Sequence, residues 1–265
     1  EQTQLPYILS LDAGNMGLRR FANLRIKTWP IDGIKIPANK ATEFHLPVFL
    51  QTEKINELLI LVMAKSSKIK APIIYVSTAG SNKKEALRQR LHLTDNWWLY
   101  RIKNKKLLTT EKIAIEPGAS IFVTDIFAIS NKQAFSLLQY CKQDKLISRN
   151  MHRIKARWSR AQSNVLLPVP SDKKGILLLL IEPPDNQAGK QVRLTLGKEP
   201  EWHNRTTIMT PGKWQWQAYP FDWQDIKTDT IWVSLKTEPA WNPQLPGFPH
   251  DLGILIGHFI IIPSS

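Results

Sequence analysis

Cysteine is nearly absent from this sequence, since Cys141 is the only one among 265 residues. A single cysteine excludes an intramolecular disulfide and any zinc site built on cysteine ligands. No apolar run reaches the roughly 18 residues that a membrane-spanning helix needs, so we expect no membrane span within this chain. An initiator methionine and a signal-peptide pattern are also lacking, and we expect a mature form or an excised region of a longer protein.

Recognisable catalytic and metal-binding motifs are lacking as well. The six histidines are scattered without the i, i+4 spacing of a zinc helix, and the chain has no Gly-x-Ser-x-Gly elbow. A glycosidase would need two carboxylates facing each other across a cleft. The acidic residues that could form such a pair are Glu182, Asp185, Glu199, Glu201, Asp222 and Asp225. Because acidic loop residues are usually just solvated, we expect no catalytic residues, metal or cofactor, and a glycoside-active enzyme stays an alternative.

Positive charge, by contrast, is abundant, with a net formal charge of +14. Residues 1–130 carry +8 of it, from 19 Lys and Arg against 11 Asp and Glu. Such an excess favours an acidic partner or simply a soluble surface. The basic stretch after Trp97 and Trp98 predicts polyanion binding by Arg101, Lys103, Lys105 and Lys106. The same stretch could stack and pair with nucleic acid, but it carries no RNA- or DNA-binding signature, so we do not expect that partner.

The apolar pattern predicts an all-β protein. Short strand-like runs recur every 10 to 15 residues, with Gly, Pro, Asn and Asp between them, which is typical of antiparallel β-sandwiches. Only residues 131–146 differ, because Ala134, Leu137, Leu138 and Cys141 fall on one face of a helix. We therefore predict a first sandwich over residues 1–130, a helical linker over 131–153 and a second sandwich over 154–265.

The two predicted sandwiches repeat the same order of elements. The run Glu57–Val62 matches Gly175–Ile181, and Val123–Ile129 matches Leu255–Ile261. The offset stays near 117–121 residues for most pairs and grows to about 132 at the last one. Trp97-Trp98 fall opposite Trp214 and Trp216 in this alignment, so we interpret those indoles as packing that each sandwich needs.

Three segments of the second copy carry a family resemblance: Asn164–Val169, Gln191–Gly197 and Asp251–Ile262. With Arg157-Trp158, they resemble galactose-binding-like jelly-roll modules of bacterial envelope proteins, which are similar to carbohydrate-binding modules. The resemblance implies tandem jelly-roll sandwiches and suggests sugar binding. It supplies no site residue, because members of the family place their ligand contacts on variable loops.

Tryptophan is concentrated in the second copy, which holds seven of the ten. Sugar rings stack on indoles because their C–H faces are apolar. Trp202 and Trp241 lie in proline-flanked loops and are the main ligand candidates, together with Trp223 and with His203 and Arg205 beside Trp202. We predict a non-catalytic, extracytoplasmic module that binds a glycan or an acidic polysaccharide, within the bacterial envelope and in polysaccharide assembly. The alternative is a structural protein that docks on an envelope partner through Leu245 and Phe248.

Overall fold

The computed structural model describes residues 18–26, 29–47, 54–64, 70–94, 96–103, 110–138, 147–152, 156–183, 192–197, 205–209, 211–244, 246 and 251–264. These residues form nineteen strands. The strands up to the middle of the chain are β1 (Leu18–Ile26), β2 (Trp29–Ile36), β3 (Thr42–His45), β4 (Ile55–Ala64), β5 (Ile74–Thr78), β6 (Glu85–Ala86), β7 (Arg90–Thr94), β8 (Trp97–Ile102), β9 (Lys112–Pro117), β10 (Ile121–Ser130) and β11 (Ala134–Ser136). The remaining strands are β12 (Ile147–His152), β13 (Ala156–Pro168), β14 (Lys174–Glu182), β15 (Val192–Gly197), β16 (Arg205–Met209), β17 (Gln215–Asp222), β18 (Thr230–Glu238) and β19 (Leu252–Pro263).

The chain divides into two compact units. The first is built mainly from Asp32–Asn150, and the second mainly from Met151–Gln217 and Phe221–Ser265 together with residues 18–31. The strand pairs whose register is resolved are antiparallel, as in β4 with β10 and β14 with β19. The prediction of an all-β chain of antiparallel sheets is therefore confirmed.

The first unit is a sandwich of two sheets. One sheet has the order β12-β2-β10-β4-β8-β7, with β11 added on β10, and the other has the order β3-β9-β5-β6. Alternate residues of the strands meet in one apolar core, which takes Ile60 from β4, Tyr100 from β8 and Ile113 from β9. This pattern follows from the period of two along a strand, which sends every second side chain to the same face.

The second unit is one continuous sheet of the order β16-β15-β18-β13-β19-β14-β17, with β1 added on β13. The long strand β13 joins its two halves, since its first residues pair with β19 and its last residues pair with β18. The register shifts between Trp158 and Arg160, and the Arg160 N–H donates to Ser163 Oγ at 2.9 Å. Gly253 passes close to this irregularity, where a Cβ would lie 2.4 Å from Ser159 Oγ.

The strand orders of the two units correspond, as the sequence repeat predicts. The order β2-β10-β4-β8 in the first unit matches β13-β19-β14-β17 in the second, and β3-β9-β5-β6 matches β13-β18-β15-β16. In the second unit, β13 thus takes the places that β2 and β3 occupy in the first. A strand that bends at a bulge can serve two sheets in this way.

The strand that precedes each repeat is paired outside its own repeat. The first strand, β1, pairs with β13 of the second unit, from Leu18 opposite Val165 to Ile26 opposite Ala156. In turn β12, which precedes the second repeat, extends the sheet of the first unit beside β2. The sequence placed residues 18–26 in the first domain, whereas their backbone pairing puts them in the second unit, because β13 offers them an unpaired edge.

The helix predicted over residues 131–146 is wrong where the structure describes it. Ala134–Ser136 instead form β11 along the edge of β10, with Phe127 opposite Ser136. Leu137 continues this pairing by donating its N–H to the Ile126 carbonyl at 2.7 Å, and its side chain is fully buried in the core. Tertiary pairing at an open sheet edge therefore outweighs the helical spacing of the apolar residues. Cys141 and the rest of the predicted helix lie outside the described residues.

Candidate functional site

The predicted ligand residues are not brought together by the described part of the structure. Trp202 and His203 lie outside the described residues, and of Arg205 only the backbone is described, in β16. Trp241 is half-buried, and its backbone exchanges two hydrogen bonds with Leu252, at 2.8 and 2.7 Å. The Trp241 ring lies tilted against the buried Trp158 ring, with centroids 5.3 Å apart. Trp241 thus packs on the core of the second unit and keeps only part of its ring at the surface.

The third candidate indole, Trp223, belongs to the core. Only 3% of Trp223 is exposed, and its ring stacks on Phe221 with centroids 3.8 Å apart. Its backbone N–H donates to the Lys173 carbonyl at 2.7 Å, and its carbonyl accepts from the Ile226 N–H at 2.9 Å, which closes the turn after β17. A ligand would have to unpack this turn to reach the ring. Trp214 and Trp216 are buried too, in agreement with their interpretation as packing residues.

The sequence candidates omit the indole that lies on a sheet face. Along β18, Ile231, Val233 and Leu235 are buried, whereas Trp232 between them is half-buried. Because strand side chains alternate, Trp232 lies on the face opposite to the core. Leu166 of β13 is directly opposite Trp232 and is also half-buried. The apolar alternation of β18, compared with that of the paired residues Val165 and Leu167 in β13, is the sequence signal that could have pointed to Trp232.

Polar pairs continue this face along the same two strands. Asn164 lies opposite Ser234, whose hydroxyl donates to Asn164 Oδ1 at 2.9 Å. Gln162 lies opposite Lys236, and Lys236 forms a 2.7 Å ion pair with Glu238. We call Gln162, Asn164 and Leu166 of β13 with Trp232, Ser234 and Lys236 of β18 the Trp232 surface. It combines a flat apolar patch with amide, hydroxyl and ammonium groups in one row, which is the chemistry that binds a polar ring with apolar C–H faces.

The residues predicted to bind a polyanion are divided by the structure. Arg101 is 3% exposed, and its Nε donates to the carboxylate of buried Glu57, so its charge is already neutralised inside the first unit. Lys103, two residues further, is exposed. Lys105 and Lys106 lie outside the described residues. Burial of Trp97 and Trp98, which are 0% and 7% exposed, removes the stacking platform that nucleic-acid binding would need.

The first unit also has a groove of about 580 Å³ at its surface, which we call the Arg88 groove. It is lined by Lys84–Gln89, which runs from β6 towards β7, and by Arg101–Lys103 at the end of β8. The Arg101 N–H donates to the Gln89 carbonyl at 3.0 Å, which holds the two walls together. Four cationic side chains and the exposed carboxylate of Glu85 therefore line a concave site on the first unit.

Buried acids of the described residues are engaged in the fold. Asp125 of β10 accepts hydrogen bonds from the Ile126 N–H at 2.7 Å and the Ser136 hydroxyl at 2.8 Å. Burial raises the pKa of Asp125 to about 7, against hydrogen bonds that lower it. Among the acids considered for glycoside cleavage, Glu182 is buried, whereas Asp222 and Asp225 are exposed. Asp185, Glu199 and Glu201 lie outside the described residues.

Two features are absent from the described residues. They contain no group of three or more His, Cys, Asp or Glu side chains arranged to hold a metal ion. They also contain no helix that is long and apolar enough to cross a membrane.

No protein-family model matches this chain, and no curated protein matches it. Three of the solved structures that match contain tandem carbohydrate-binding modules. One is the tandem of CBM51 modules from a family 98 glycoside hydrolase of Streptococcus pneumoniae, with 9% identity and a TM-score of 0.28 over 88% of this chain and 84% of that one. Another is the tandem of CBM22 domains from a Paenibacillus barcinonensis protein, with 10% identity and a TM-score of 0.26 over 98% of both chains.

A third match is a Clostridium perfringens structure that joins an M60 catalytic domain to two CBM51 domains. It has 7% identity and a TM-score of 0.26 over 97% of this chain, which spans only 39% of that chain's length. At these TM-scores the similarity carries no argument about the site, so the case for function rests on the side chains described above.

Proposed function

We propose that this protein is a non-catalytic carbohydrate-binding module and that the Trp232 surface of the second unit holds the sugar. The observation that carries the proposal is Trp232, an indole on the outer face of β18 between Ile231 and Val233 of the buried face. An aromatic ring in that position adds little to the core, because Ile231, Val233 and Leu235 on the other face of β18 already pack there. Its flat face suits a sugar ring, whose C–H groups are apolar.

The polar row beside Trp232 supports the same ligand class. Sugar hydroxyls both donate and accept hydrogen bonds, and the row presents an amide at Asn164, a hydroxyl at Ser234 and an ammonium at Lys236. Their spacing along two paired strands is that of a sheet, with neighbouring strands about 4.8 Å apart. A linear glycan lying along the strands would meet the apolar patch first and the polar pairs next.

A glycan array read with four variants tests the proposal. Trp232→Leu keeps an apolar side chain against Leu166 but removes the flat ring, and we expect at least about a tenfold loss of affinity. Ile73→Ala is the matched control, because Ile73 is a large apolar residue of the first unit that is 53% exposed. Trp202→Ala and Trp241→Ala test the loop site that the sequence favours. Binding that survives Trp232→Leu and disappears in either loop variant would contradict the Trp232 surface.

The cellular setting of the proposal is the bacterial envelope, outside the cytoplasm, in a system that assembles or holds polysaccharide. It follows from the family resemblance of the sequence. Fractionation of the native producer, with antibodies against this chain, tests it: recovery with the cytoplasmic fraction would contradict an envelope role.

Docking on a protein partner of the envelope is less favoured by the described surface. Among the residues whose side-chain burial is described, Ile73 is the only large hydrophobic one that is exposed, and one residue does not make an apolar patch. Leu245 and Phe248, on which the docking alternative depends, lie outside the described residues.

A further inference from the structure

We infer that the Arg88 groove of the first unit is a binding site for an acidic sugar, separate from the Trp232 surface and independent of it. The groove is formed within the first unit, where Lys84–Gln89 crosses from one sheet of the sandwich to the other. The Leu87 N–H donates to the Ile74 carbonyl at 2.8 Å, and Gln89 is tied to β8 through Arg101. Both walls are therefore fixed by backbone hydrogen bonds.

The cations of the groove differ in whether an acidic side chain already pairs with them. Lys84 is 51% exposed and forms a 2.5 Å ion pair with Glu116, and Arg101 is buried against Glu57. These two cations therefore already have counter-ions within the fold. Arg88 and Lys103 are exposed at the groove, and Arg88 forms no ion pair within the described part of the chain. A guanidinium in this position favours a carboxylate or sulfate, which it can bind through two parallel hydrogen bonds.

The Gln89 side chain restricts the chemical class of the ligand further. Its side-chain oxygen Oε1 is buried and receives no hydrogen bond from the described residues. An unsatisfied buried acceptor costs about 1–3 kcal/mol, so a donor that reaches it is stabilising. A deprotonated phosphate or carboxylate alone has no hydrogen to donate, whereas a sugar that carries both hydroxyl groups and a carboxylate can bind Arg88 and, once the Gln89 side chain turns into the groove that it lines, satisfy Gln89 as well. This pair of requirements indicates an acidic sugar rather than a simple anion.

Titration calorimetry of the full chain with a galacturonate oligosaccharide tests the inference. The same oligosaccharide after carboxyl reduction provides a neutral probe, and polyphosphate provides an anion without hydroxyl groups. We expect the galacturonate to bind at least about tenfold more tightly than either probe, because only it offers both groups. Equal binding of polyphosphate would show that the groove selects charge alone and would overturn the inference.

Two variants and a matched control separate the groove from the overall positive charge. Arg88→Gln and Gln89→Met should each weaken galacturonate binding, by about tenfold and severalfold respectively. Lys35→Gln removes one exposed positive charge from the first unit outside the groove, and we expect less than a twofold effect. Equal losses in Arg88→Gln and Lys35→Gln, or no binding of galacturonate to the parent protein, would overturn the inference. Circular dichroism of each variant confirms that it folds.

These experiments test the two proposed sites independently of each other. Loss of neutral-glycan binding in Trp232→Leu supports the Trp232 surface, and galacturonate binding that is unchanged in that variant but weakened in Arg88→Gln supports the groove. Neutral-glycan affinity that is unchanged in Trp232→Leu contradicts the proposed function alone. Galacturonate affinity that is unchanged in Arg88→Gln contradicts the groove alone.

Discussion

We expect the stability of the first unit to depend on pH through Asp125, and Asp125→Asn tests this. The carboxyl lies in β10, where the ladder with β4 is irregular between Val123 and Asp125. It accepts hydrogen bonds from the Ile126 N–H, the Ser136 hydroxyl and the Leu138 N–H. The bonds from Ser136 and Leu138 hold β11 and the residues after it at the edge of the sheet. Those bonds favour the charged form, but complete burial disfavours it more strongly.

The sign and size of the effect follow from the pKa of Asp125 in the two states. Burial raises it from 3.8 to about 7, so between these values the folded protein holds a proton that the unfolded chain has lost. The free energy of unfolding therefore falls as the pH rises from about 4 to about 7 and levels off above that range. Roughly three pKa units at about 1.4 kcal/mol each amount to about 4 kcal/mol. Asparagine cannot titrate, so Asp125→Asn removes this dependence.

The measurement is hydrogen exchange, read on peptides that cover Ile121–Ser136 and corrected for the intrinsic exchange rate at each pH. The quantity of interest is the difference in opening free energy between the variant and the parent protein. Any constant cost of the amide, such as a poorer partner for the Leu138 N–H, cancels when two pH values are compared. We expect Asp125→Asn to gain about 4 kcal/mol relative to the parent between about pH 4 and about pH 8. A difference that stays within about 1 kcal/mol over this range would refute the reasoning.

Two further predictions concern stability. Glu57→Leu should destabilise the first unit by about 3–5 kcal/mol, because it leaves Arg101 buried without its counter-ion; urea unfolding measures this, and a change below about 1 kcal/mol would mean that Arg101 reaches water. A chain that begins at Trp29 lacks β1 and should lose protection from hydrogen exchange in β13 while β4 and β10 keep theirs, whereas equal loss in both units would contradict the assignment of β1 to the second unit.

The sequence predicted the strands and their order well because both depend on short-range patterns. Alternating apolar residues and regularly spaced turns identified the strands, and the matching runs of the two copies predicted the matching orders around β4-β10 and β14-β19. The interpretation of Trp214 and Trp216 as core residues came from the same repeat and agrees with their burial. These are features that each copy needs for its own packing.

What the sequence missed depends on partners that are distant along the chain. The residues from Ala134 to Leu138 satisfy a helical spacing, and only the open edge of β10 makes them a strand. Arg101 looks like one more cation of a basic stretch, and only the pairing of β8 with β4 brings Glu57 to it. Strand β1 lies near the start of the chain, and the residues of β13 that it pairs with are 130 to 147 positions away.

The candidate sites show why function was harder to locate than fold. The sequence argument selected tryptophans by their loops, on the reasoning that a loop indole needs a special reason to be buried, and Trp241 has such a reason in the Trp158 ring. The sequence alone lets Trp232 face either side of its strand, and the burial of Ile231 and Val233 is what places it on the outer face. Exposure on a sheet is decided by which alternate set the core takes, and a single strand does not reveal that choice. The residues opposite it do: the buried Val165 and Leu167 of β13 flank Leu166, so both strands give their outer face to the same row. A ligand site on a sandwich is therefore better sought by aligning the alternation of paired strands than by collecting aromatic residues from loops.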